Sequence, residues 1–245
     1  MGNTDKLRDD HPSVDGGIAS LEQTLPMVEI YETIEGEGMR AGFATVFVRV
    51  FGCNLRCSWC DTPYSYAPAK AERTMSIGEI VAEARQFNAR HVCLTGGEPL
   101  MYGEKSLQLV QALVDVEQFS DIHIETNGAI DLQPFIEAID SSKVRYIMDY
   151  KLHDSGETAQ MCVANLALLR ATDELKFVIA GERDFQQAVD VLKRYPTQAT
   201  ALFSPVWETM PPQRLAELIL ANGLVQVRMS LQMHKLIWEA GRRGV

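Results

Sequence analysis

The sequence predicts an α/β fold: a parallel sheet curled into an open, partial (β/α)6-type barrel, preceded by an N-terminal strand and followed by a C-terminal extension. Three observations carry this expectation. From Ala44 onward, short β runs alternate with helical stretches of about 10–15 residues, the pattern of right-handed β-α-β crossovers. Six such runs plus a terminal one are too few to close an eight-stranded barrel. No stretch rich in Pro, Gly or Ser breaks the middle of the 245-residue chain, so residues 26–245 read as one domain behind a flexible tail at 1–25.

The elements follow in order. Residues 1–25 are polar and aperiodic, ordering only near Leu21. Met27 to Thr33 alternates as a strand. Ile34-Glu35-Gly36-Glu37-Gly38 interrupts it with glycines around carboxylates, either as an acidic solvent turn or as a ligand loop. Ala44 to Val50 is the first β run of the repeat. Ser76 begins a helix to Phe87, with Glu79 at the capping-box position. Strands are then expected at 91–95, 121–126, 144–148, 174–179, 200–203 and 225–230. Helices are expected at 106–116, 132–139, 158–169, 184–194 and 212–221, the last with Pro in its first turn.

Composition excludes several classes. A formal charge of −10 argues against general attraction to nucleic acid. No run approaches the length of a membrane span. The N-terminus lacks a basic-then-apolar export pattern, and five cysteines, an odd number with three crowded at one place, do not form a disulfide framework. A reducing cytoplasm is the expected location.

The chemistry centres on Cys53-Asn54-Leu55-Arg56-Cys57-Ser58-Trp59-Cys60, a CxxxCxxC frame holding three of the five cysteines. Three thiolates on a four-iron cluster leave one iron open. A tetrahedral zinc site, which needs a fourth ligand, and a cluster of core thiols are the alternatives. Ligands in such sheets collect at the carboxyl ends of the strands. The residues expected there are the three cysteines, Thr95-Gly96-Gly97-Glu98, Glu125-Thr126-Asn127, Asp149 and Lys151, Ser204, and Gln232 with His234. Arg49 lies in an apolar strand just before the cysteines. A buried Arg needs an anion, either a substrate carboxylate or Glu35 or Glu37. Gly96-Gly97 allows close ligand approach or a tight turn, and Glu98 either accepts a ligand ammonium or caps a helix. Lys176, and His123 pointing outward, read as structural; Cys93 and Cys162 read as core thiols.

CxxxCxxC followed by TGGEP resembles the radical S-adenosylmethionine enzymes. With Glu35-Gly36-Glu37-Gly38, Phe47-Val48-Arg49, Cys60-Asp61-Thr62, Glu125-Thr126-Asn127-Gly128 and Gln232-Met233-His234-Lys235, the chain from Met27 to Val245 is similar to the 7-carboxy-7-deazaguanine synthases. The resemblance implies a [4Fe-4S] cluster on Cys53, Cys57 and Cys60, with S-adenosylmethionine on its open iron. That cofactor would be lined by Trp59, Cys60, Asp61, Gly97, Asp149, Tyr150, Lys151, Ser204, Pro205, Val206 and Trp207. The pterin substrate would meet Ile34, Glu35, Gly36, Arg49, Thr95 and Val245, and Thr62 would share a Mg²⁺ with it. It further implies a radical ring contraction of 6-carboxy-5,6,7,8-tetrahydropterin with loss of ammonia, a reductant such as a flavodoxin or ferredoxin, and a homodimer. The family often has Gln at the place of Glu35, and Ser-Pro-Lys at Asp149-Tyr150-Lys151. A glycyl-radical activase shares the cysteine frame but leaves Arg49 and the Glu35 loop unused. A non-catalytic iron–sulfur module needs no ring of polar strand ends.

Overall fold

The computed structural model describes residues 20–245; the expected tail at 1–19 lies outside the described residues. The strands are β1 (Thr24–Ile34), β2 (Ala44–Val50), β3 (Arg73–Ser76), β4 (His91–Gly96), β5 (Asp121–Thr126), β6 (Val144–Asp149), β7 (Glu174–Ile179), β8 (Thr200–Pro205) and β9 (Val227–Met229). The helices are α1 (Ile77–Ala84), α2 (Glu104–Val114), α3 (Gln133–Ala138), α4 (Asn165–Leu168), α5 (Glu182–Arg194), α6 (Pro212–Ala221) and α7 (His234–Ile237). Among the described residues, nine strands form one sheet in the order β3-β1-β2-β4-β5-β6-β7-β8-β9. β1 pairs antiparallel with β2 and β3, and the remaining neighbours are parallel. With β3 and β9 at its edges, the sheet is not closed, as the sequence predicts.

Side-chain alternation divides the sheet into two environments. On β2, Val46, Val48 and Val50 join the apolar core, which also holds Val92 and Leu94 of β4 and Ile122 and Ile124 of β5. The opposite face of the same strands carries Arg49, Thr95, Asp121, His123 and Glu125. That polar face is concave. In a flat sheet β1 and β7, five strands apart in order, would lie about 24 Å from each other at about 4.8 Å per strand. Instead the Met39 amide, just past β1, donates to Glu174 of β7 at 3.0 Å, and the Gly38 amide reaches the Ser230 hydroxyl beyond β9 at 3.1 Å. The sheet therefore curls until its first and last strands nearly meet.

Local chemistry explains the boundaries. Ser76 caps α1 with the full capping box: its hydroxyl accepts from the Glu79 amide (3.2 Å) and the Glu79 carboxylate accepts from the Ser76 amide (2.7 Å). The helix stops at Ala84, short of Phe87. β1 begins at Thr24 rather than Met27, because Thr24 to Met27 pair with β3, a strand the sequence reading missed. Only Met75 of β3 is buried, so no period marks it. The helix expected at 158–169 is a 3₁₀ turn at Thr158–Gln160 followed by the single turn of α4. Asn165 spends its side chain on the Leu132 amide (3.0 Å) and the Ile130 carbonyl (2.8 Å), tying this segment to the preceding crossover instead of extending a helix.

Candidate active site

A cavity of about 410 Å³ opens at the carboxyl ends of the parallel strands. Register determines who meets there. Arg49 pairs with Thr95 across β2 and β4, and Asp149 with Lys176 across β6 and β7, so each pair shares the inner face. The loop after β2 brings Cys53, Cys57 and Cys60 into the wall, with Trp59, Asp61 and Thr62. From the other expected residues, Ile34, Glu35, Gly36, Gly97, Lys151, Val206, Trp207 and Val245 also line the cavity. Tyr150, Ser204 and Pro205 do not. Tyr150 points opposite to its neighbours Asp149 and Lys151 and packs on Phe177 with ring centroids 5.7 Å apart. Ser204 and Pro205 are buried behind the wall at the end of β8.

The cysteine loop is held by close packing. A Cβ on Gly97 would run into the Gly52 carbonyl and the Cys53 side chain, so the second glycine of TGGEP lets the end of β4 lie against the loop. The Glu98 amide donates to that Gly52 carbonyl at 2.7 Å. Glu98 itself does not face the cavity: it is fully buried and accepts from the Leu100 amide (3.0 Å), the Thr126 hydroxyl (2.9 Å) and the Asn127 amide (2.6 Å). It ties the β4 turn to the end of β5, and burial pushes its carboxyl up to about 7.

All five cysteines are free thiols. Cys93 is buried on β4 beside His123, and Cys162 sits against the Gly128 carbonyl, so only three thiols reach the cavity. Burial raises the Cys53 thiol, and pushes Cys57 up to about 11. Such thiols become thiolates when a cation compensates the charge. A three-thiolate donor set fits an iron–sulfur cluster with one open iron and leaves a tetrahedral zinc one ligand short. Two buried polar atoms among the described residues of this wall have no protein partner, Trp59 Nε1 and Asp149 Oδ1. They match a ligand with both acceptor and donor groups next to the cysteines.

On the same cavity, Arg49 donates through Nε to Glu29 Oε1 (2.9 Å) and through Nη2 to the Tyr31 hydroxyl (3.3 Å). Its ion pair is therefore with Glu29, not Glu35 or Glu37. Burial alone would disfavour the charge, but the hydrogen bond to Tyr31 and the Glu29 carboxylate keep the guanidinium protonated. Lys176, read from sequence as structural, lines the cavity 3.1 Å from Glu37, 3.9 Å from Glu125 and 4.0 Å from Asp149. Burial opposes its charge, and these three carboxylates outweigh it. Glu37 is driven down to about 2, because Lys176 and Gln232 overcome its burial. Lys151 pairs with Asp149 at 2.7 Å and sits 5.3 Å from the Trp59 ring centroid. The sequence signal for Lys176 was present, a lone cation in ELKFVI, since a buried ammonium requires counter-charges. Glu35, expected at a solvent turn or a ligand loop, is nearly fully buried beside His123, which points into the barrel and not outward.

Residues 47–196 match the model of the radical SAM superfamily. The chain is 36% identical to the 7-carboxy-7-deazaguanine synthase of Methanospirillum hungatei over 219 residues, 89% of this chain and 88% of that one. It is 35% identical to the synthase of Chlorobaculum tepidum over 231 residues, 92% of this chain and all of the other. The crystal structure of QueE from Escherichia coli shares the fold, with a TM-score of 0.70 over 91% of this chain at 22% identity. The three cavity thiols, the superfamily match and this identity along nearly the whole length place the chain in the 7-carboxy-7-deazaguanine synthase family of radical S-adenosylmethionine enzymes.

Proposed function

We propose that this chain is a carbon–nitrogen lyase of queuosine and 7-deazapurine biosynthesis, converting 6-carboxy-5,6,7,8-tetrahydropterin to 7-carboxy-7-deazaguanine with loss of ammonia. The observation that carries the reading is one cavity lined by three thiols and by the oriented cation Arg49. Family membership implies a [4Fe-4S] cluster and S-adenosylmethionine, and the donor set and unpaired wall atoms fit both. When bound, they supply the one-electron chemistry that begins with hydrogen abstraction from substrate.

The chain's own residues do the rest. Cys53, Cys57 and Cys60 hold the cluster. Trp59, Asp61, Gly97, Asp149, Lys151, Val206 and Trp207 form the wall for S-adenosylmethionine, backed by Tyr150, Ser204 and Pro205. Arg49 takes the substrate carboxylate, which a guanidinium fork matches better than an ammonium. Thr95, the Ile34-Glu35-Gly36 loop and Val245 enclose the pterin and exclude water. Thr62 would lend its hydroxyl to a Mg²⁺ shared with the substrate. A one-electron donor such as a flavodoxin or ferredoxin would be its redox partner in the cytoplasm, and the enzyme would work as a homodimer.

The test is anaerobic reconstitution followed by incubation with S-adenosylmethionine, a reductant, Mg²⁺ and the tetrahydropterin. The expected product is 7-carboxy-7-deazaguanine, accompanied by 5′-deoxyadenosine. An intact cluster that cleaves S-adenosylmethionine yet forms no deazaguanine overturns the substrate assignment. Cys57→Ala is expected to abolish cluster assembly, read as loss of bound iron and of the brown absorbance.

A further inference from the structure

The inner face of β5 carries ionisable groups beyond those the cavity uses. Asp121, His123 and Glu125 alternate with core Ile122 and Ile124, and of the three only Glu125 lines the cavity. His123 has no exposed surface. Its Nδ1 lies 3.2 Å from Asp121 Oδ1 and its Nε2 lies 2.9 Å from Glu35 Oε2. A ring with a carboxylate on each nitrogen is satisfied only when both nitrogens carry protons, because a neutral imidazole would turn a lone pair toward one of them.

The surroundings agree. Asp121 is anchored by Arg40 (2.7 Å) and Arg145 of β6 (2.6 Å). Cys93 faces His123 from β4, and burial pushes that thiol up to about 12, so it adds no charge. Glu125 of β5, Glu174 of β7, and His91 of β4 complete the titratable neighbourhood. Burial works against charge on His123, but the Asp121 and Glu35 carboxylates on its two nitrogens hold it well above the ordinary imidazole range.

The other Glu35 oxygen accepts from the Gly36 amide (2.9 Å) and the Glu37 amide (3.1 Å). Glu35 thus joins a buried cation to its own loop. The loop then offers Glu37 to Lys176 (3.1 Å) and Gln232 (3.0 Å), and the Gly36 carbonyl to the Met233 amide (2.9 Å). A Cβ at Gly36 would collide with the His234 ring, so small shifts of this loop are felt across the cavity.

We propose that His123 is a positioning residue for the substrate loop at residues 34–37: as an imidazolium clamped between Asp121 and Glu35, it holds the Glu35 carboxylate under the Gly36 and Glu37 amides and so sets the wall that Glu37 and Lys176 complete. The proposal rests on the substrate reading above. A group whose folded-state value is raised contributes fully below its ordinary value, about 6.5 for imidazole, and its contribution is lost as pH rises through the folded-state value. The clamp is therefore in place at neutral pH and released in the alkaline range.

The test uses reconstituted holoenzyme with its cluster oxidised, imidazole ¹⁵N shifts for the charge state, and KM for the tetrahydropterin against pH. His123→Gln identifies the His123 signal. Glu35→Gln keeps the volume of the carboxylate and removes its charge, so the carboxamide turns its N–H toward Nε2 and favours the neutral ring. Wild type is expected to show a doubly protonated His123 at about pH 7.5, and Glu35→Gln a neutral one. The alkaline rise in KM is expected to move to lower pH in Glu35→Gln, giving about a tenfold higher KM at about pH 8 with kcat within about threefold. A neutral His123 in wild type overturns the proposal. So does an unmoved KM profile in Glu35→Gln with unchanged iron content and circular dichroism. If His123→Gln does not fold, comparing wild type with Glu35→Gln still decides the charge state, because only one imidazole signal is expected to move. Failure of wild type to form the deazaguanine defeats the substrate reading alone, and the ¹⁵N titration reports on the clamp independently.

Discussion

Arg49 and Lys176 are the same sequence event, a single cation flanked by apolar residues in a strand, and both end in the cavity wall. The charge in the strand is legible; its partner is not. Glu37, which meets Lys176, lies 139 positions away, and Glu29, which meets Arg49, sits on a strand whose register no local pattern reveals. The Glu29 and Tyr31 bonds set the plane of the guanidinium, which is what a planar carboxylate requires. Arg49→Lys keeps the charge and loses that plane. It is expected to raise KM for the tetrahydropterin by about 10- to 100-fold, or about 1.4–2.7 kcal/mol, while bound iron and substrate-free cleavage of S-adenosylmethionine stay at wild-type levels. An equal fall in iron content would show that Arg49 supports the cysteine loop and not the substrate.

At the level of elements, the alternation of short strands and helices is readable from runs of apolar residues at strand and helix spacing separated by turn residues. The Ser76-Glu79 capping box is the clearest case, since both reciprocal bonds form. Ser76→Ala removes the acceptor for the Glu79 amide and is expected to cost about 1 kcal/mol, read as a lower denaturation midpoint with an unchanged slope. A shift in KM would mean that α1 reaches the site, which its packing on the apolar face of β1, β2 and β3 argues against. β3 escaped notice because a four-residue strand with one buried side chain has no period. The 158–169 segment escaped because its fate turns on Asn165 bonding to a crossover more than thirty residues earlier. The period-2 pattern of β5 was equally visible, yet it does not say which face looks into the barrel. His123 was therefore placed on the wrong side, although its alternation with Ile122 and Ile124 was plain.

Over the whole molecule, the loop after β1 and the C-terminal segment meet at one opening. The loop after β1 binds the segment after β9 through Met233, and Gln232 reaches Glu37. Beyond α7, residues 240–245 line the cavity. Arg243 holds this last segment: its guanidinium lies 3.9 Å from the Tyr64 ring centroid, 3.8 Å from Glu29 and 3.7 Å from Glu72. The cation–π contact is worth about 0.5–1 kcal/mol at an exposed site. The two ion pairs are long and partly solvated, so together they add at most about 1 kcal/mol. Arg243→Ala is therefore expected to weaken closure by about 1–1.5 kcal/mol, raising KM for the tetrahydropterin by about 5- to 10-fold. Salt distinguishes the contributions, since added salt screens the ion pairs far more than a ring contact. Wild-type KM is expected to climb modestly between about 0.05 and 0.5 M NaCl, and the Arg243→Ala profile to be flatter. Because Glu29 touches both Arg243 and Arg49, losing Arg243 also removes one of the two cations competing for that carboxylate. An unchanged KM in Arg243→Ala at every salt concentration would mean that residues 240–245 border the cavity without covering the substrate.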